Sequence, residues 1–268
     1  MRIIALAFAL LSATPAIAAD TPPAVTETFR MKAEEAHQGV VADKRYIYAI
    51  SNAEIGKYDR KTGQRVARWQ GDPKLFVHMN SCILDRAMLI CAASNYPQVP
   101  QASSIEWFDT RKMAHVKTRS LGPQRGSLTW LDWHDGSWWA AFANYDNKGG
   151  EPARDHKLTT LVRYTPDFTE QGAWLFPPAV LDRFAPYSTS GGAWGEDGLL
   201  YVTGHDRPEL YAVRLPEAGS TLIHVATIGL VTNGQAIAWE KGGAKRTLWS
   251  ISRAGSEVVA ATVPGVTR

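Results

Sequence analysis

Three histidines, His37, His78 and His205, carry the side chains best suited to chemistry at neutral pH in this 268-residue chain. Imidazole is the one side chain whose ordinary pKa lies near neutrality, so it serves as acid, base or metal ligand. Each histidine sits near an amide or an acid: His37 before Gln38, His78 two residues before Asn80, and His205 before Asp206. A carboxylate beside an imidazole fixes its tautomer and raises its basicity, which suits general acid–base work. The set His37, His78, His205 and Asp206 also offers nitrogen and oxygen ligands for zinc, manganese or iron, so one divalent metal ion is one reading. Side chains hydrogen-bonded around a water-filled channel are the other. Gln38, Asn80, Asn95, Asn144, Asp146, Asp206, Gln235 and Arg253 are the candidates for orienting a ligand, Arg253 through its planar fork of donors. No H-E-x-x-H spacing, G-x-S-x-G elbow or phosphate-binding loop occurs, which leaves serine hydrolysis and nucleotide-cofactor chemistry without support.

These residues need a scaffold, and the chain repeats. Five segments run from a polar or small start, through apolar residues, to an acid: 37–43, 80–85, 127–132, 191–196 and 235–240. Their closing acids, Asp43, Asp85, Asp132, Glu196 and Glu240, are spaced by 42, 47, 64 and 44 residues. A period of about 40–50 residues built from short strands is that of a propeller blade. Second strands are expected at 46–51, 88–93, 138–143, 199–203 and 247–252. Third strands follow at 55–58, 105–108, 161–164, 210–213 and 258–262, and fourth strands at 65–70, 116–121, 172–176 and 222–228. The fifth copy ends after its third strand, so the strand-like segment 25–32 is expected to supply the fourth and close the ring. The reading is all-β: a five-bladed propeller of four-stranded antiparallel blades, with six blades as the alternative. Five is preferred because the long third interval holds a polar insertion, 144–157, rather than more strands.

Propeller geometry puts inner-strand starts and the loops between second and third strands on one face. The three histidines and the amides fall there, around the mouth of a central channel. They differ from blade to blade, which favours one central site over five repeated ones. Two long loops, 94–104 and 144–157, rise on the same face as a lid or wall, or as solvated insertions. The opposite hairpins, including His134-Asp135-Gly136, read as turn chemistry. Trp107, Trp130, Trp194 and Trp239 read as packing between blades.

The N-terminus has the form of a secretory leader. Arg2 precedes an apolar run, and Ala16-Ile17-Ala18 offers a cleavage motif, giving a leader at 1–19 and one propeller domain at 20–268. Export, to the periplasm in a Gram-negative source, and no membrane span after cleavage are the expectations. Net charge is +3 with no basic block, which speaks against nucleic acid as a partner. Cys82 and Cys91 fall opposite each other across one hairpin, which permits a disulfide; two reduced core thiols are equally compatible.

The turn Tyr58-Asp59-Arg60-Lys61-Thr62-Gly63 and the inner-strand repeat resemble the broad propeller class that includes lactonases, gluconolactonase-like enzymes and quinoproteins. The segments His37-Gln38-Gly39, Ser94-Asn95-Tyr96-Pro97, Gly126-Ser127-Leu128-Thr129-Trp130, Ser190-Gly191-Gly192-Ala193-Trp194-Gly195 and Gly204-His205-Asp206 resemble exported propellers labelled cycloisomerase. The resemblance spans most of the mature chain and implies a fold, not residue roles. The expected function is binding of a small polar or anionic molecule, sugar-like or an organic acid or lactone, with lactonase, lyase or isomerase chemistry. A non-catalytic binding module and an interaction scaffold in the cell envelope are the competing readings.

Overall fold

The computed structural model describes residues 23–123, 125–242 and 246–267. The leader read at 1–19 lies outside the described residues. After β1 (Thr26–Lys32), the first blade is β2 (Gly39–Ala42), β3 (Tyr46–Ile50), β4 (Glu54–Asp59) and β5 (Arg65–Gln70). The second is β6 (His78–Asp85), β7 (Met88–Ser94), β8 (Ser103–Asp109) and β9 (Ala114–Gly122). The third is β10 (Ser127–His134), β11 (Ser137–Ala143), β12 (Thr160–Tyr164) and β13 (Glu170–Leu175). A short helix α1 (Pro178–Phe184) leads to the fourth: β14 (Gly191–Trp194), β15 (Leu200–Thr203), β16 (Glu209–Arg214) and β17 (Ile223–Gly229). The fifth joins β18 (Ala238–Trp239), β19 (Thr247–Ser252) and β20 (Glu257–Thr262) to β1, in the order β1-β20-β19-β18. The ring therefore has five four-stranded antiparallel blades. The long third interval is filled by the insertion after β11 and by α1, which the sequence pattern did not reveal, and not by a sixth blade.

Burial follows position in the blade. The inner strand Gly39-Val40-Val41-Ala42 is buried throughout, because neighbouring blades cover both of its faces. The outermost strands β5 and β1 are exposed or half-buried along their length, with polar residues interleaved. Turns are set by Asx geometry: the Asp59 carboxylate accepts from the backbone N–H of Lys61 and Thr62, as Asp109 does from Arg111 and Lys112.

The core is five apolar wedges, one at each junction between blades. Trp130, Leu161 and Tyr211 join blades three and four; Val40, Trp249 and Val258 join five and one. Ile55, Leu89 and Phe108 join one and two, Tyr201 and Leu248 join four and five, and Ile105 and Leu131 join two and three. Trp130 is fully buried, and Trp107, Trp194 and Trp239 pack partly buried against these wedges, as the sequence led one to expect; Trp249 is fully buried as well. Gly192 has a packing reason: a Cβ there would meet the Trp130 ring at 2.3 Å.

Cys82 and Cys91 face each other across the β6–β7 hairpin and form a disulfide, so the reduced-thiol alternative falls away. The bridge closes a loop of 9 residues. A loop of that size confers about 2–3 kcal/mol by constraining the unfolded chain. The double variant Cys82→Ala/Cys91→Ala is expected to lose stability of that order in urea unfolding. Equal midpoints for wild type and variant would show that the bridge contributes nothing.

Candidate functional site

The inner strands begin at one end of the axis, and the loops joining second to third strands rise there too. His78 opens β6, with its ring against that of Tyr96 at 5.1 Å between centroids. Burial, and then the charge of Arg253, push its pKa down to about 4, so His78 is a neutral imidazole at pH 7. Tyr96 in turn meets Tyr145 at 4.9 Å, and burial pushes both phenols up, keeping them neutral donors. His205, just past β15, lies against the Tyr187 ring, with centroids 4.3 Å apart and planes tilted by 32°. Arg253 Nη1 donates to His205 Nε2 at 3.4 Å. Because an arginine can only donate, Nε2 is the acceptor and Nδ1–H donates to Asp206 Oδ1, 2.6 Å away. Arg253 itself is exposed at the start of a 3-10 turn, Arg253–Gly255. Blades two, four and five thus bring together a neutral histidine, a histidine held by a carboxylate, and an open guanidinium.

The two long loops form one wall at this end. Besides the Tyr96–Tyr145 contact, the Gln101 backbone N–H donates to Glu151 Oε1 at 2.8 Å, and Gln101 Nε2 donates to the Gly149 carbonyl. Building that wall occupies three residues expected to orient a ligand. Asn95 donates to the Pro100 carbonyl and accepts from the Ala102 N–H, closing its own loop. Asn144 donates to the carbonyls of Arg125 and Leu158. Asp146 accepts from the backbone N–H of His156 and pairs with its ring at 2.7 Å. Burial raises the Asp146 carboxyl, but the His156 contacts outweigh it and the net direction is down.

Blade one contributes less than expected. Gln38 is buried and donates to Asn52 Oδ1. His37 is half-buried at the start of its blade, and none of the described ring contacts joins it to His78 or His205. Gln235 is buried, with its backbone carbonyl accepting from Thr203 Oγ1. Asn80 spends a donor on the Leu128 carbonyl of the next blade.

The expected metal set does not assemble. Among the described residues no group of three His, Cys, Asp or Glu side chains is placed to hold a metal ion. His37, His78, His205 and Asp206 fail as a set because Asp206 and Arg253 engage His205, while His78 lies against Tyr96. The fixed charge of Arg253 acts on His78. Such a cation opposes a second one at the same place.

The reading of the hairpin end needs correction as well. The ends of the inner strands of all five blades line a cavity of about 260 Å³ there, with Val41, Ile83, Asp132, Trp194 and Ile237 in its wall. His134 is not a bare turn residue: it lines this cavity and stacks on Trp194 at 4.4 Å with planes 7° apart. Asp132 is 9% exposed and accepts from the backbone N–H groups of Trp133 and Trp194. Burial pushes its pKa up to about 6 against those two hydrogen bonds and the charge of Lys241. The closing acid of the third repeat was visible in the sequence, but its burial depends on how the blades lean together.

The class these features define is a five-bladed β-propeller with a histidine- and arginine-bearing mouth. Solved propellers share the fold. A luciferin-regenerating enzyme superposes with a TM-score of 0.53 at 12% identity, covering 91% of this chain and 97% of that one. A PQQ-bound aldose sugar dehydrogenase from Streptomyces coelicolor gives 0.52 at 16% identity, covering 92% and 84%. No protein-family model matches the sequence, and no curated protein is similar to it in sequence. At these identities the likeness is one of fold.

His78 makes stability depend on pH. Its proton affinity is lower folded, with a pKa of about 4, than at the ordinary value of 6.5. Its contribution is therefore complete above pH 6.5 and is lost as pH falls from there through 4, by about 3 kcal/mol. Asp132, raised by folding, acts in the opposite direction but is common to both proteins compared. His78→Gln is expected to lose about 3 kcal/mol less than wild type between pH 7 and pH 4 in urea unfolding. Parallel losses would show that His78 is not held neutral by the fold.

Proposed function

We propose that this propeller binds a small anionic or hydroxyl-rich molecule, of the sugar-acid or lactone kind, at the strand-start mouth. His78 then transfers a proton on the bound ligand, as in lactonase, lyase or isomerase chemistry. The observation that carries the reading is the placement of neutral His78 under the influence of Arg253 and His205. The Arg253 fork suits a carboxylate or a developing oxyanion. A bound anion offsets the Arg253 charge that lowers His78, so occupancy raises the basicity of the imidazole where the base is needed. His205, held between Asp206 and Arg253, positions the guanidinium, and the rings of Tyr96 and Tyr187 wall the site. The leader-like N-terminus and the disulfide support an exported protein.

Gluconate binding by calorimetry and gluconolactone hydrolysis by pH-stat provide the test. Arg253→Ala is expected to weaken gluconate binding at least about tenfold, or about 1.4 kcal/mol. His78→Ala is expected to keep binding and lose turnover by about a hundredfold or more. Binding without turnover in wild type assigns the mouth to a binding module. Unchanged binding in Arg253→Ala overturns the proposal.

A further inference from the structure

The cavity at the hairpin end belongs to no part of the site above, since it opens at the other end of the axis and is lined by the opposite ends of the inner strands. Its walls are mostly apolar, from Val41, Ile83, Ala193, Ile237 and the Trp194 and Trp239 rings. A cavity of about 150 Å³ holds a benzene ring, so 260 Å³ admits a ring with a short polar arm. One carboxyl, that of Asp132, lies within this apolar wall.

The charge around that carboxyl is unbalanced. Asp132 has two backbone N–H partners and, among the described residues, no ion pair. Among the described residues the cations lining the cavity do not pair with Asp132, although the charge of Lys241 acts on it. Lys241 donates to the Leu84 carbonyl, and Arg246 pairs with Asp197 and lies over Trp239. Glu240 is paired with Arg60, and Glu196 adds a further carboxylate at the rim. Burying a carboxylate with no cation in direct contact is costly, and a ligand that places its positive charge against the carboxylate recovers part of that cost. A pocket with apolar walls and a few convergent polar groups is the usual form of a small-molecule site.

We propose that the hairpin-end cavity is a second ligand site that takes a small primary amine with an apolar ring. The ring lies among Ile83, Ile237 and Trp194, and the ammonium meets the Asp132 carboxylate. The binding is pH-dependent, because the amine stays charged while Asp132, raised to about 6, takes up a proton as the solution is acidified. The titratable and charged groups facing Asp132 across the cavity are His134, Glu196, Glu240, Lys241 and Arg246. Of these His134 also gains charge on acidification, with its pKa lowered by burial.

Calorimetry with benzylamine, benzyl alcohol and benzoate on the full chain tests this. Benzylamine is expected to bind at pH 7.5 at least about tenfold more tightly than benzyl alcohol, and benzoate more weakly than either. Benzylamine affinity is expected to fall by about tenfold per pH unit below pH 6, in wild type and in His134→Gln alike. Asp132→Asn, with its fold checked by circular dichroism, is expected to bring benzylamine down to the affinity of benzyl alcohol. Equal affinities for the amine and the alcohol in wild type overturn the proposal without recourse to any variant. A pH slope that disappears in His134→Gln overturns it too, by moving the titration from Asp132 to His134.

Discussion

Every feature of this molecule depends on the pairing of β1 with β20. Residues from the two ends of the chain meet in an antiparallel ladder that runs from Thr26 opposite Thr262 to Lys32 opposite Glu257. Without it the fifth blade would lack its outer strand and β20 would show an open edge. The wedge of Val40, Trp249 and Val258 between blades five and one would also lose Phe29 and Met31, which pack against it. Ion pairs from Arg30 and Lys32 to Glu257 lie along the same seam, although exposed pairs of this kind add little. Ring closure is thus mostly a matter of backbone pairing and apolar contact between sequence-distant segments.

Closure has a functional consequence, because it makes a central axis with two distinct ends. At the strand-start end the inner surface is polar, with Gln38, Asn80, Ser94 and Ser127 buried and hydrogen-bonded. Long loops there add rings and charges. At the hairpin end the strands finish in apolar and tryptophan side chains, and tight turns leave a cavity rather than a wall. One carboxyl in an apolar setting and one imidazole beside a guanidinium both depart from their ordinary pKa values, in opposite directions. Burial is the leading cause of each; the Arg253 charge adds to it at His78, and two backbone hydrogen bonds and then Lys241 oppose it at Asp132.

Much of the fold was legible in advance. The acids that close each repeat, the Asx turns and the buried apolar runs are local features, and local sequence dictates them. The 64-residue third interval was read correctly as an insertion, but the Pro178–Phe184 helix within it was missed, since seven residues are too few to show a helical period. At the mouth, His205 meets Asp206 and Arg253, and the Arg253 charge reaches His78. Asn95, Asn144 and Asp146 were read as ligand groups because they are polar and lie on the right face. A side chain's type does not say whether its hydrogen bonds are already taken, and all three are used to hold loops.

The sequence by itself determined the blade repeat, with five blades preferred over six, the closing strand, and which end of the axis His37, His78, His134 and His205 occupy, because these follow from the repeat and the alternation of strand direction. Tertiary structure alone decided the chemistry. The approach of Arg253 to His205, the low proton affinity of His78, the disulfide and the burial of Asp132 all depend on contacts between different strands or blades, or on the packing around a side chain. The physical reason is that proton affinity and hydrogen-bond supply are set by burial and by neighbours a few ångströms away. In a closed ring those neighbours are fixed by how the blades pack, and not by the residues adjacent in the chain.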